Sequence, residues 1–318
     1  MPESVRIWGP GSLSNLGPGF DSIGVALDGI GDVVEVTASE EPGIHVLPGE
    51  GVWKAPSDVR SNTAARAAAH VLAFHHDRFP GLTIKIVKGI RPGSGLGSSA
   101  ASAAAAALGA LTVLTDLPRE HAVDAALEGE AGVAGARHGD NVLPSLMGGV
   151  VLTSASRPEH FRRVPVPVPL PLAVVRPEVT VLTKEAREML PRVVPLRDAV
   201  HNASSLAFLI DALRAGDLQE VGRAIEQDRL VEPVRARLVP GYHDILQAAR
   251  DAGALGAALS GSGPALFAVC GDGAGARRVR DAMIAATQKA GHEVSGFVSS
   301  IDERGARATR RHQTENPV

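Results

Sequence analysis

Two periods of apolar residues alternate along the chain. Residues 5–8, 32–37, 82–87, 148–154, 161–166, 172–175 and 293–299 alternate or run apolar over short β-branched stretches, so each predicts a strand. Residues 61–76 carry an apolar face through Ala65, Ala69, Leu72 and Ala73 and predict a helix entered at Ser61-Asn62-Thr63. Helices are also predicted over 100–111, 119–130, 197–215, 218–229 and 274–289. Residues 257–269 read as strand, glycine turn, strand. The proline-alternating segment 165–171 is extended and belongs at an edge or in a connector, because proline cannot donate to a central ladder. A loose boundary near 155–172 divides the chain into an N-terminal lobe (1–160), a C-terminal lobe (161–301) and a flexible tail (302–318).

Composition narrows the class. With 318 residues a full core can be buried in one or two domains. A net charge of −3 argues against a nucleic-acid partner. Only 3% of residues are aromatic, so the core must be Val, Leu, Ile and Ala. The single cysteine, Cys270, reads as a small buried hydrophobe in a reducing, cytoplasmic protein. Glu3 and Arg6 precede any apolar block, so no signal peptide is expected. The apolar run 100–114 is too short for a membrane span of roughly 20 residues and is expected to be a buried helix. The sequence leaves the oligomeric state open, a homodimer being one expectation.

The densest candidate chemistry is Gly93-Ser94-Gly95-Leu96-Gly97-Ser98-Ser99, between a strand pattern and an alanine-rich helix pattern. Glycines let the backbone approach a ligand closely. Free amides and the positive dipole end of a helix favour an anion. With Ser98 or Ser99 as N-cap, this is a candidate phosphate cradle, and a plain glycine turn is the alternative. No lysine follows Gly97, so it is not a Walker A loop, and Ser98 stands where a Rossmann fingerprint has its third glycine.

Residues 10–21 are too rich in turn formers for regular structure. Asn15 and Asp21 there read as an Asx-turn and a helix cap for 22–27. Glu130, His138, Asp140 and Asn141 form a dense polar set between apolar segments. They lack the i, i+4 histidine pair of a zinc helix, and oxygen ligation of Mg²⁺ by Glu130 is better chemistry beside a phosphate loop. Arg187, taken alone, is a solvated helix charge.

These strings together resemble the GHMP kinases. The glycine loop is similar to the family form Pro-x-Gly-Ser-Gly-Leu-Gly-Ser-Ser, with Arg91 at the expected proline and Pro92 one place later, so a changed loop entry is expected. Asn15-Leu16-Gly17-Pro18-Gly19-Phe20-Asp21 resembles the first family signature in its homoserine kinase form, with Ser14 for the common alanine. Residues 257–269 resemble the third. Glu130 with His138, Asp140 and Asn141, and the run 232–241, resemble the homoserine kinases more than their relatives.

The resemblance implies an α+β, two-lobed fold, the first lobe similar to ribosomal protein S5 domain 2 and the second ferredoxin-like. It implies ATP on the loop from Arg91 and Pro92 through Gly93, Ser94, Gly95, Leu96, Gly97, Ser98 and Ser99 to Ala100 and Ala101, with Asn62 bordering the adenine. It implies Mg²⁺ on Glu130 with help from Ser98 or its neighbour, Asn15, Asp21, His138 and Asn141 around the acceptor, and Arg187 and Arg235 clamping a carboxylate. Asn141 takes the inward place and cannot accept a proton, so a base-free transfer with Asn141 positioning the hydroxyl is implied. The implied reaction is ATP-dependent phosphorylation of the L-homoserine hydroxyl on the way to threonine. Another GHMP kinase of small molecules (mevalonate or shikimate type) and a non-catalytic nucleotide-binding regulator are the alternatives.

Overall fold

A computed structural model describes residues 3–134 and 137–309. Two sheets organise it. The first joins β1 (Ser4–Ser14), β2 (Ile23–Ser39), β3 (Gly43–Val46) and β4 (Gly81–Val87) to β5 (Val150–Thr153), β6 (Phe161–Val164) and a late strand at Arg307–Ala308. The second is built from β7 (Leu172–Pro177), β8 (Gly256–Leu259), β9 (Leu266–Val269) and β10 (Val294–Ser299). The Arg307–Ala308 strand is β11. The path of the first sheet is β11-β1-β2-β4-β3, with β5 and β6 continuing from the N-terminal half of β2. The second runs β10-β7-β9-β8, all antiparallel, which is the strand order of a ferredoxin-like lobe.

Helices α1 (Thr63–Phe74), α2 (Ser98–Leu114), α3 (Val123–Ala134) and α4 (Gly139–Met147) belong to the first lobe. Then follow α5 (Thr183–Glu188), α6 (Leu196–Ala215), α7 (Leu218–Ile225), α8 (Glu232–Arg235), α9 (Tyr242–Asp251) and α10 (Gly273–Lys289). α2 is buried on nearly every side, and its small residues let it lie close to the sheet. A Cβ on Gly9 would stand 2.2 Å from the Ala101 carbonyl oxygen, and one on Gly109 would stand 2.6 Å from Val36. The alanine run is therefore a packing requirement: larger side chains would lift the helix, and the glycine loop at its start, off β1 and β2.

Several expectations need correction. Residues 10–14 continue β1 through a bulge between Pro10 and Ser12, where only β2 pairs with the strand and no ladder bond is lost to proline. Residues 23–27 open strand β2, and not a helix; Ile23, Val25 and Leu27 are all fully buried between sheet neighbours. β6 stays in the first sheet, which extends that lobe past 160. Residues 302–309, expected in the tail, are held by Asp302. It is 3% exposed, accepts from the amides of Arg304 and Gly305 and pairs with Arg307 at 2.7 Å, while β11 adds to β1. Arg310 and Arg311 lie outside the described residues. Cys270 is buried, and burial pushes its thiol up to about 11. No helix among the described residues is long and apolar enough to cross a membrane.

Candidate active site

The glycine loop joins β4 to α2. Gly93, Gly95 and Gly97 have φ of 69°, 77° and 66°, so every second residue is left-handed, a conformation that side chains disfavour. Such alternation turns successive amides toward one concave side, a nest suited to an anion. The helix begins at Gly97 and not at a serine cap: Gly97 is the N-cap residue, and no side chain caps it. Ser98 Oγ donates to the Ile90 carbonyl at 2.9 Å, and Ser99 Oγ donates to Glu130 Oε1 at 2.9 Å. The third glycine segment packs on this loop, since Ser260 Oγ donates to the Gly95 carbonyl at 2.7 Å and the Ala265 amide to that of Ser94 at 3.1 Å.

A cavity of about 460 Å³ opens over the loop. Lys54, Pro56 and Asn62 line it, as do Asp21, Arg187 and Arg235. Glu130 lines it too, with its Oε2 atom buried and without a hydrogen-bond partner among the described residues. Burial raises its pKa, partly offset by the Ser99 bond and by the Lys88 charge. An oriented carboxylate with one orphaned oxygen beside a phosphate nest is a fit for a divalent cation. Among the described residues no cluster of three or more His, Cys, Asp or Glu could hold a metal by itself, so other ligands would be phosphate oxygens and water.

Also in the lining, Asp21 and Arg187 form a bidentate pair, both bonds 2.9 Å. Asn15, Leu16 and Asp21 all have positive φ (71°, 46° and 55°). That strain is held by Asn15, whose Oδ1 accepts from the Asp21 amide at 3.3 Å and whose Nδ2 donates to Gly261 at 3.4 Å. Both guanidinium carbons, of Arg187 and Arg235, stand 5.2 Å from the Phe20 ring centroid. Arg235 is 2% exposed and donates only to carbonyls, from Nη1 to Gly261 at 2.9 Å and from Nε to Ala186 at 3.4 Å. No carboxylate pairs with it among the described residues, and burial, then the Arg187 charge, pushes it down to about 10. His138 Nδ1 is 3.6 Å from Asp21, its Nε2 is buried without a partner, and burial holds its pKa down against the pull of Asp21. Asp140 is buried; burial, then the Asp21 charge, pushes it up to about 7. Asn141 Oδ1 accepts from Ser12 at 2.9 Å, beside Gly97.

Matches to known proteins agree with this geometry. Residues 62–149 match the family model "GHMP kinases N terminal domain", and 209–289 match "GHMP kinases C terminal". The homoserine kinase of Pyrococcus furiosus is 39% identical over 303 residues, 95% of this chain and 99% of that protein. The homoserine kinase of Halobacterium salinarum is 41% identical over 305 residues, 95% of this chain and 96% of that protein. This chain belongs to the homoserine kinases of the GHMP family. The crystal structure of homoserine kinase from Cytophaga hutchinsonii superimposes with a TM-score of 0.90 at 33% identity, covering 97% of this chain and 98% of that one. The crystal structure of L. major mevalonate kinase in complex with R-mevalonate has a TM-score of 0.69 at 21% identity (93% of this chain, 95% of that one) and shares the fold.

The structure brings together most of the homoserine-kinase-like positions read from the sequence. Asn15, Asp21, Asn62, Glu130, His138, Asn141, Arg187 and Arg235 line one cavity with Pro92, Gly93, Ser94, Gly95, Gly97, Ser98 and Ser99. Four of the positions expected at the nucleotide do not line this cavity. Arg91 pairs with Glu178 and stacks over Trp53, 5.1 Å from its centroid, while Leu96, Ala100 and Ala101 turn into the core. Ser99, and not Ser98, is the hydroxyl that touches Glu130. Asn62 caps α1 by accepting from the Ala65 amide and donates to Pro56, so it also fixes the cavity rim.

Sequence reasoning missed the support beneath the loop. Lys88 and Asp32 form a buried ion pair, with Asp32 Oδ1 accepting from the Gly89 and Ile90 amides at 3.0 and 3.1 Å and its Oδ2 from Ser102 at 2.6 Å. Lys88 also donates to the Ser98 carbonyl at 2.9 Å. The available signal was a lysine at the end of an apolar strand immediately before a glycine.

Proposed function

We propose that this chain transfers the γ-phosphoryl group of Mg-ATP to the side-chain hydroxyl of L-homoserine, giving O-phospho-L-homoserine for threonine synthesis. One observation carries the acceptor assignment: Arg235 is a buried guanidinium with no carboxylate partner among the described residues, in the lining of the cavity. A buried cation without a counter-ion favours an anionic ligand, and a carboxylate suits its planar donors. Arg187 is already matched by Asp21, which makes it the second side of a clamp and leaves Asp21 oxygens near the place of an ammonium group. An amino acid with a hydroxyl on its side chain offers both charges. Mevalonate lacks the ammonium group and would leave the Asp21 carboxylate with Arg187 as its one cation.

Phosphoryl transfer is mainly positioning and charge neutralisation. Amides of the glycine nest hold the phosphates, while Glu130, oriented by Ser99, holds the cation that offsets their charge. Asn141, fixed by Ser12, lies between the nest and the acceptor end and positions the hydroxyl. His138 is held neutral by burial, so it orients the acceptor through hydrogen bonds without adding charge. No residue is required as a strong base, because a loose transition state places little demand on early proton removal.

The test is ADP release by the purified chain with Mg-ATP against L-homoserine, L-serine, L-threonine, mevalonate and shikimate. Turnover on homoserine well above the others is expected. Turnover on mevalonate would keep the phosphate site and overturn the acceptor end. ATP binding without turnover on any acceptor would favour a regulator.

A further inference from the structure

Arg235 stands on an element too short to hold itself. Helix α8 is four residues long, and a single helical turn has little stability of its own in water. Its guanidinium is nevertheless buried in one place, so other elements must hold α8. Asp228 holds the start of the helix. Its carboxylate accepts from the amides of Leu230 at 2.8 Å, Val231 at 3.2 Å and Glu232 at 2.7 Å, and from Asn202 Nδ2 at 2.7 Å.

A second carboxyl ties α8 to the sheet. β8 is the last strand in its order and pairs with β9 alone, so every second amide along it points away from the ladder. Two glutamates meet those amides. Glu226 Oε1 accepts from Ala257 at 3.1 Å, and Glu232 Oε1 accepts from Leu259 at 2.8 Å. Glu232 Oε1 also accepts from the Tyr242 hydroxyl at the start of α9, which fixes the direction of the carboxyl. Burial pushes this carboxyl up to about 8, so it is mainly protonated at neutral pH. Two residues beyond Leu259, the Gly261 carbonyl accepts from Arg235 Nη1 at 2.9 Å. The single turn of α8 is thus pinned to segment 259–261 at both ends.

We propose that Glu232 is a positioning residue for the acceptor: it acts through Arg235, by pinning α8 to the end of β8, and so sets where that guanidinium stands in the cavity. The inference rests on the reading of Arg235 as the contact for the acceptor carboxylate. Glu232 itself is not among the residues that line the cavity. Without its bond to Leu259, α8 keeps Asp228 at its start, and Arg235 keeps its bonds to the Gly261 and Ala186 carbonyls, but no tie between helix and strand fixes the turn behind them. A two-point carboxylate contact depends on the plane of the guanidinium, and a misplacement of about 1 Å costs up to roughly 10²-fold. The phosphate side keeps its own support, because the Ser260 bond to Gly95 and the Ala265 bond to Ser94 do not pass through Glu232. Glu226 is the contrast. It meets the same strand edge and pairs with Arg250 at 3.0 Å, but it precedes α8 and carries no cavity residue behind it.

Steady-state kinetics of the full chain test this, with melting temperatures measured beside them. Glu232→Ala should raise the KM for homoserine about tenfold or more, and leave kcat and the KM for ATP within about threefold. Glu232→Gln keeps a neutral acceptor at Oε1 and should return the KM to within about threefold of the parent. Glu226→Ala should lower the melting temperature, as Glu232→Ala does, yet leave the KM for homoserine unchanged. In an Arg235→Met background Glu232→Ala should add less than about threefold to that KM, because the residue it acts through is gone. Should Glu232→Ala fail to fold, Tyr242→Phe asks the same question, with a rise of about threefold or more in the homoserine KM alone. Equal rises in both KM values, no rescue by Glu232→Gln, full additivity with Arg235→Met, or an equal effect of Glu226→Ala overturns the proposal, as does an unchanged KM in Tyr242→Phe. A parent chain without turnover on homoserine removes the acceptor reading and this proposal with it, a result distinct from a parent that turns over and variants that do not split the two KM values.

Discussion

Asp140→Asn separates what a buried carboxylate does for catalysis from what it does to stability. The ordinary carboxyl value of 3.8 rises to about 7 in the folded chain, first through burial and then through the neighbouring Asp21 charge. Below pH 3.8 both folded and unfolded chains hold the proton. As pH rises from there the unfolded chain releases it and the folded chain does not, so stability falls until about pH 7 and then levels off. At about 1.36 kcal/mol per pH unit the full deficit is about 4 kcal/mol, and the part accumulated between pH 5 and pH 8 is about 2–3 kcal/mol. An asparagine of the same shape carries no such proton. The variant should therefore gain on the parent as pH rises, by about 5 °C in melting temperature over that interval at roughly 2 °C per kcal/mol for a chain of this size. Melting curves of both proteins at pH 5, 6, 7 and 8 read this directly. In turnover with saturating ATP and homoserine, the base-free scheme expects the variant within about tenfold of the parent, whereas loss of a general base would remove about 10²–10⁴. Parallel melting curves would refute the stability reasoning. An activity loss as deep as that of Glu130→Gln would refute the base-free scheme.

Three other substitutions probe separate parts of the site. Arg235→Met should raise the KM for homoserine by about 10²–10³, the range for losing one partner of a buried charged contact, and leave the KM for ATP within about threefold; equal effects on both would remove the carboxylate assignment. Glu130→Gln should abolish most turnover and weaken the dependence of rate on Mg²⁺ concentration, read from a magnesium titration at fixed ATP. Lys88→Met leaves the Asp32 carboxylate buried without its cation and should lower stability by about 3–5 kcal/mol in urea unfolding, with Lys88→Met/Asp32→Asn less damaging than the two single losses added together.

The parts of this molecule that were legible in the sequence are those where local chemistry and global place coincide. The glycine loop requires left-handed backbone at Gly93, Gly95 and Gly97, and only glycine meets that demand easily, so the string itself reports the geometry. The strand at 82–87 and helices at 61–76 and 197–215 carry their periods openly, and the structure places elements there. Legibility failed where tertiary pairing overrode turn composition. Pro10, Gly11 and Ser12 look like a loop, yet β2 supplies a partner and the glycine loop passes close by, with the Leu96 carbonyl 3.1 Å from a Cβ on Gly11. Residues 302–309 lack apolar periodicity because their order comes from one buried carboxylate, Asp302, and from an existing sheet edge.

The same distinction explains the errors at the site. A motif names which residues are near a ligand but not what each side chain already holds. Arg91 lies in the loop string, but Glu178 and Trp53 occupy its charge and its face, so the proposed phosphate site rests on backbone amides and not on this guanidinium. Asp32 and Lys88 lie outside every motif. Yet they tie the end of β4, the Ser98 carbonyl and Ser102 of α2 to one point. A nest of amides is useful only if its donors stay aimed, because preorganisation is what makes such donors effective on transferring charge. The buried ion pair is thus as much a part of the proposed phosphate site as the glycines: it fixes the strand end and the helix start between which the glycines bend.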